Sequence, residues 1–239
     1  MPSVEPGLPQ VGDVIDRYAV LGTLGSGGMA TVYRVRHTRL GTEHAMKVLH
    51  LGSATIRQRL VQEGRVQATL KHPNLVTVTD LVDLEGGAPG VVMELVLGPA
   101  LDRLLEVAPP DLKQADHLAR GILSGVEEAH RHQIIHRDLK PANILLEPKG
   151  ETVVPKITDF GIAKVLESPE PGALTRTGLV FGTPQYMSPE QMRNTKSVGP
   201  EADVFSLGAI LYELVTHRRA FDGDDLVEIM NQVVNGRYV

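Results

Sequence analysis

The chain has 239 residues, 42% of them apolar, and a formal net charge of −5, which fits one large domain or two small lobes around a packed core. It contains no cysteine, so disulfides, thiolate catalysis and cysteine-ligated zinc are excluded and a reducing compartment is indicated; the acidic balance argues against a nucleic-acid footprint. There is no secretory leader pattern, and the most apolar run, Leu207 to Val215, contains Glu213 and is too short to span a bilayer.

Residues 1–17 carry Pro2, Pro6, Gly7, Pro9 and Gly12 and are expected to form a mobile leader. Arg17 to Leu24 then has the composition of a strand. Gly25-Ser26-Gly27-Gly28-Met29-Ala30 interrupts it, and Thr31 to Arg36 alternates as a second strand. The glycine pattern is weak evidence alone, and Ala30 stands at its third glycine position. A dinucleotide-binding turn needs a helix directly after the glycines. The alternation over 31–36 puts them instead at a hairpin tip, either a plain flexible turn or a place where bare backbone approaches phosphates. Glu43 to Leu49 predicts a third strand, with Lys47 set among apolar residues, where a lysine must be paired or hold an anion, and with Ala45 small enough to lie against a flat ring. Ile56 to Leu70 predicts a helix with Ile56, Leu60, Val66 and Leu70 inward. Glu63 is the candidate partner of Lys47, or else a solvated helix residue, and Gly64 beside it weakens the helix. His72-Pro73-Asn74 ends that helix, and Leu75 to Val82 and Gly90 to Leu95 predict two more strands. The result is a small, mostly antiparallel lobe of five strands and one helix.

Gly98 to Ala108 predicts a connector and a short helix stopped by Pro109-Pro110. Asp111 caps a long helix reaching about His132, with Leu112, Ala115, Leu118, Ala119, Ile122, Leu123, Val126 and Ala129 on one face. His117, His130 and His132 are expected at the surface or helix end. Short β pieces at Ile134-Ile135 and Ile144 to Leu146 are expected to flank the polar octet His136-Arg137-Asp138-Leu139-Lys140-Pro141-Ala142-Asn143. Val153 to Thr158 predicts a strand ending at Asp159-Phe160-Gly161. A loop from Lys164 to Pro184, closed by Ser188-Pro189-Glu190, is too long for a mere connection. Asp203 to Val215 is apolar nearly all round, the pattern of a core helix, and Asp225 to Asn235 starts one more.

The octet concentrates chemistry. A carboxylate beside an incoming hydroxyl accepts its proton, an amide oxygen ligates a hard cation such as Mg²⁺, and a lysine neutralises a phosphoryl group in transfer. A single such aspartate is more often part of a charged surface turn; the whole octet is not.

Glycine loop, strand lysine, helix glutamate, HRDLKPAN, DFG and SPE follow one another in the order of the protein kinase family. From about Tyr18 to the last residue the chain resembles that family, and in style (GSGGMATV, KPANILL, GTPQYMSPEQ, DVFSLG) it is similar to bacterial Hanks-type serine/threonine kinases. The resemblance implies an α+β, bilobal fold: a small antiparallel β lobe with one helix (18–96) over a mainly helical large lobe (97–239), with ATP between them. It implies that Leu24, Gly25, Ser26, Gly27, Gly28, Met29, Ala30, Thr31 and Val32 cover the phosphates of ATP, and that Lys47 holds the α/β-phosphates and pairs with Glu63. Met93 would guard the back of the pocket. Glu94 and Val96 would offer backbone hydrogen bonds to adenine, and Val32, Ala45 and Leu145 would sandwich it. Asp138 would accept the acceptor proton, Lys140 would contact the γ-phosphate, and Asn143 and Asp159 would hold Mg²⁺. Lys140 with Thr183 is the serine/threonine-type pattern. Arg137 before the catalytic aspartate implies control by a counter-charge, and Thr175 and Thr177 sit where related kinases autophosphorylate. The implied partners are proteins bearing Ser or Thr and a homodimer for autophosphorylation, with no nucleic acid and no membrane segment. The implied location is the cytoplasm, under a membrane-anchored parent in some relatives.

Three departures from the pattern stand out. Ala30 replaces a glycine, and Gln67 stands where an apolar residue is usual. No arginine near the end of the chain matches the family's partner for Glu190. Losing one member of a buried ion pair costs about 3–5 kcal/mol against a domain stability of about 5–15 kcal/mol. The expectation is therefore an incomplete large lobe, as in a fragment or truncated gene product, and the alternative function is a non-catalytic nucleotide-binding module or inactive fragment. A small-molecule phosphotransferase is the third reading. The Gly-Thr-Pro-x-Tyr…Ser-Pro-Glu segment at 182–190, which suits a docked peptide, counts against it.

Overall fold

The computed structural model describes residues 8–28, 30–50, 54–84, 88–160, 183–193 and 198–239, without the side chains of residues 54–57, 59, 60 and 63. Its backbone divides into two compact units, residues 1–71 with 76–96 and residues 72–75 with 97–239.

The first unit is a six-stranded sheet: β1 (Val14–Ile15), β2 (Tyr18–Ser26), β3 (Ala30–His37), β4 (Glu43–Leu49), β5 (Val78–Asp83) and β6 (Pro89–Glu94), in the spatial order β1-β2-β3-β4-β6-β5 and antiparallel throughout. β1 corrects the expectation of a mobile leader reaching residue 17: Val14 pairs with Ala19, Ile15 is buried, and the Gly12 amide donates to the Val20 carbonyl. Alternation buries Val20, Tyr33, Val35, Met46, Val48, Val82 and Val92 in one cluster with Ile15 and Tyr18. The sheet curls so that Tyr18 of β2 donates its hydroxyl to Asp80 Oδ2 of β5 at 2.9 Å.

Helix α1 (Ala54–Gln67) crosses the opposite face. Among the α1 residues whose side chains are described, Gly64 is the buried one, and a Cβ there would come within 2.9 Å of a Leu81 methyl; the expected inward Ile56 and Leu60 lie outside the described side chains. The expected inward position Val66 is 39% exposed, and Leu70 is buried only beyond the helix end. The glycine that lowers helix propensity is thus the residue that lets the helix approach β5. The strand expected to begin at Leu75 begins at Val78, because 72–75 belong to the second unit, where the Ile157 amide donates to the Asn74 carbonyl.

The second unit is built on α3 (Leu112–Arg131), preceded by the short α2 (Leu101–Val107). Asp111 and Gln114 form a reciprocal capping box at the start of α3. Ala115, Leu118, Ile122, Val126 and Ala129 are buried as the spacing predicts, whereas Leu112 and Leu123 lie exposed at the edges of that face. β7 (Ile144–Lys149) and β8 (Thr152–Ile157) form a hairpin against α3. No strand forms at Ile134-Ile135: the chain leaves α3 through a left-handed Gln133 (φ +59°), and the Ile134 amide bonds back to Ala129. Gly98 is fixed by contact, since a Cβ there would overlap the Leu146 carbonyl oxygen at 1.5 Å. Short helices α4 (Pro189–Arg193), α5 (Glu201–Thr216) and α6 (Leu226–Asn235) follow, with the Asp225 carboxylate capping α6 through the Glu228 amide at 2.8 Å. α5 is less enclosed than its composition predicts. Val204 and Val215 are exposed, and two of its buried residues are the carboxylates Asp203 and Glu213. No described helix is long and apolar enough to cross a membrane.

Candidate active site

In the first unit β2 and β3 form a hairpin in which Gly25 opposes Val32 and Ser26 opposes Thr31. The Gly27 amide closes its tip on the Ala30 carbonyl at 2.9 Å; Met29 lies outside the described residues. A Cβ on Gly25 or Gly28 would meet nothing within 4 Å, and none of Gly25, Gly27 and Gly28 has a positive φ. Neither packing inside the unit nor turn geometry requires these glycines, and they leave a bare backbone surface that fits a bulky anionic group. Leu24, before the glycines, is exposed. At the base of the hairpin Thr31 Oγ1 lies 3.2 Å from Ser26 Oγ and 2.9 Å from His50 Nε2.

Lys47 pairs across β4 with Val32 on one side and Val91 on the other, and Ala45 pairs with Met93. Directly opposed residues share a face, so Val32, Ala45, Lys47, Val91 and Met93 line one side of the sheet. Leu81 opposes Val91, and Gly64 packs on Leu81, so the helix carrying Glu63 crosses that same side. The Glu63 side chain lies outside the described residues. The Glu94 amide and carboxylate both bond to Thr77, at 3.0 and 2.8 Å. Among the described residues no backbone hydrogen bond engages the Val96 amide.

In the second unit the octet is an interlocked loop. His136 is fully buried. Its Nε2 donates to the Thr158 carbonyl at 2.8 Å, leaving Nδ1 as the acceptor for the Asp138 amide at 3.2 Å. The Asp138 carboxylate faces Lys140 Nζ at 2.7 Å. Asn143 Nδ2 donates to the Asp138 carbonyl at 2.8 Å and lies 3.3 Å from Asp138 Oδ2. That use of the amide nitrogen directs the Asn143 amide oxygen elsewhere. Ile144 opposes Ile157 and the Thr158 amide donates to the Asn143 carbonyl at 2.9 Å, so Asn143 and Asp159 are held close in the chain fold. An amide oxygen and a carboxylate suit Mg²⁺, which needs few protein ligands when phosphates supply the rest. Among the described residues no group of three His, Asp or Glu forms a self-sufficient metal cage. Arg137 and Asp159 both adopt left-handed backbone, φ +66° and +67°. Leu145, on β7, is half-buried.

Asp203 holds the loop from below. It is fully buried, and its carboxylate accepts the His136 amide at 2.8 Å and the Arg137 amide at 2.9 Å, with His130 Nε2 at 2.8 Å. Burial pushes the Asp203 carboxyl up, but the hydrogen bonds from His130 and from the backbone amides of His136 and Arg137 outweigh it and hold the group below the usual carboxylate range. His130 lies in the last turn of α3, at the helix end as expected, with the added role of partner to Asp203. A carboxylate within an otherwise apolar helix is the sequence signal that finds Asp203, because buried charges need partners. Glu213, on the same helix, accepts the Tyr186 hydroxyl at 2.5 Å. Burial first, and then Glu213, raises the Tyr186 phenol well above its ordinary value, so it remains a donor. Tyr186 lies in the turn Pro184–Tyr186, whose carbonyl also accepts Ser206 Oγ at 2.7 Å. Glu190 is exposed in the first turn of α4, so the cost of an unpaired buried charge does not fall on it. Thr175 and Thr177 lie outside the described residues.

Comparison with known proteins matches residues 18–238 to the model of the protein kinase domain. The chain is 38% identical over 217 residues to the serine/threonine-protein kinase pkn3 of Myxococcus xanthus, covering 88% of this chain and 40% of that protein. It is 39% identical to the probable serine/threonine-protein kinase PknB of Lactococcus lactis (92% and 35% covered) and 38% identical to the serine/threonine-protein kinase PrkC of Bacillus subtilis (89% and 32%). The chain thus spans about a third to two fifths of the length of these curated relatives. With an α+β fold, a glycine hairpin over a lysine-bearing strand and an HRD loop locked on a buried aspartate, the chain belongs to the protein kinase domain family.

Proposed function

We propose that this chain transfers the γ-phosphoryl group of ATP to the hydroxyl of a serine or threonine in a protein. The observation that carries the reading is the held Asp138 carboxylate, 2.7 Å from Lys140 Nζ, on a loop whose backbone amides bond to Asp203. Asp138 accepts the acceptor's proton as the hydroxyl oxygen bonds to the γ-phosphorus and the bond from that phosphorus to the bridging oxygen breaks. Lys140 stabilises charge on the moving phosphoryl group. Residues Leu24 to Val32 cover the phosphates with backbone. Lys47, oriented by Glu63, binds the α/β-phosphates. Val32 and Ala45 give the adenine an apolar face, the Glu94 and Val96 backbone reads its edge, and Met93 closes the back. Asn143 and Asp159 would hold Mg²⁺, which when bound would neutralise charge on the phosphates. Phosphate at Thr175 or Thr177 supplies the counter-charge for Arg137 and orders the loop.

The test measures melting with and without Mg-ATP, then transfer to an acceptor protein with identification of the phosphorylated residue. A melting temperature raised by Mg-ATP and label on serine or threonine are expected; replacing Thr175 and Thr177 together by alanine lowers transfer. Nucleotide binding without transfer in the wild type would favour the binding-module reading, and label on tyrosine would refute the serine/threonine assignment.

A further inference from the structure

The sequence Ser188-Pro189-Glu190-Gln191 is a capping box in form, a serine followed three residues on by a glutamine at the start of α4. The structure shows both halves of the box. Ser188 Oγ accepts the Gln191 amide at 3.4 Å, and Gln191 Oε1 accepts the Ser188 amide at 3.0 Å. A glutamate would cap equally well. The other end of the Gln191 side chain does something a glutamate cannot. Its Nε2 donates to the Arg137 carbonyl at 2.7 Å. The two partners, one an N–H and one a carbonyl, fix which way the amide points.

That carbonyl belongs to the peptide unit whose N–H is the Asp138 amide, itself bonded to His136 Nδ1 at 3.2 Å. The unit is therefore held on both sides immediately before the Asp138 Cα. Arg137, just upstream, has a left-handed backbone (φ +66°), a conformation that a non-glycine residue keeps only when its surroundings impose it. Asp203 imposes it through the Arg137 N–H at 2.9 Å, and Gln191 through the Arg137 C=O.

We infer that Gln191 is a positioning residue: it fixes the Arg137–Asp138 peptide plane and so ties the orientation of the Asp138 carboxylate to the Ser188–Gln191 turn. Gln191 touches no reacting atom. Its catalytic consequence rests on the kinase reading above; its geometric role does not.

Two variants separate these roles. Gln191→Glu keeps the cap and removes the donor, whereas Gln191→Met removes the donor and the side-chain half of the cap. Three quantities are read on each purified protein: melting temperature, kcat and KM for ATP with an acceptor protein, and hydrogen exchange of the peptide spanning 134–143. For Gln191→Glu the expected result is a melting temperature within about two degrees of wild type, kcat down about tenfold, KM for ATP within about twofold, and faster exchange across 134–143 than across α3. Gln191→Met loses a similar share of kcat but also melts lower. Wild-type kcat and wild-type exchange in Gln191→Glu would overturn the inference, and so would a loss of kcat matched by a loss of melting temperature in that variant. A wild-type protein that transfers no phosphate refutes the kinase reading instead, and the exchange of 134–143 still decides whether Gln191 holds the loop.

Discussion

Asp203 shows how one side chain sets a site it never enters. Its carboxylate binds the two amides that precede Asp138. Because the folded protein holds this group below the usual carboxylate range, it binds fewer protons than the unfolded chain in acid. Its stabilising contribution is complete above the ordinary carboxylate value of about 3.9 and is lost as pH falls through the lower folded value. Asp203→Asn should cost about 3 kcal/mol near neutrality. The gap in melting temperature between wild type and variant should hold from about pH 6 down to about 4 and close as the pH is lowered further, through the depressed folded value; a gap that stays constant below about pH 3.9 would contradict the charge-based account. Much of this layer was readable from sequence, since Asp138, Lys140 and Asn143 announced themselves by type and spacing. Gln191 and Tyr186 did not, and Asp203 shows only as a carboxylate in an apolar helix with no sign of what it holds, because each acts through a partner at least 20 residues away in sequence that only the fold brings near.

Elements were legible where periodicity and caps agreed. The box at Asp111 and the apolar spacing over 115–129 placed α3 closely. In α1 the expected inward Val66 is exposed and the described buried contact is made by Gly64, which carries no hydrophobic signal; Ile56 and Leu60 lie outside the described side chains. β1 was missed because two residues carry no period. Two glycines with opposite settings test this reading. In Gly98→Ala the new methyl meets a backbone carbonyl at 1.5 Å, so the chain must move and stability should fall by at least about 3 kcal/mol. In Gly64→Ala the methyl meets the mobile end of Leu81 at 2.9 Å, and the helix gains about 1 kcal/mol of propensity. Denaturant unfolding should find Gly64→Ala within about 1 kcal/mol of wild type. Equal effects at the two sites would contradict the contacts assigned to them.

At the scale of the molecule the small unit is a curled sheet that presents lysine and bare glycine backbone on defined faces, and the second unit is a helical body that holds the His136–Asn143 loop on Asp203. The antiparallel first unit was legible because alternation and the glycine hairpin agreed along the chain, whereas the α+β class as a whole came with the resemblance to the protein kinase family. The regulatory expectation at Thr175 and Thr177 falls outside the described residues. The central claim, that Asp138 is the proton acceptor in phosphoryl transfer, is met most directly by Asp138→Asn. This change keeps size and removes the carboxylate that faces Lys140. Transfer to an acceptor protein should fall by about 10²- to 10⁴-fold while Mg-ATP still raises the melting temperature as it does in the wild type. Transfer at the wild-type rate by Asp138→Asn would contradict the account.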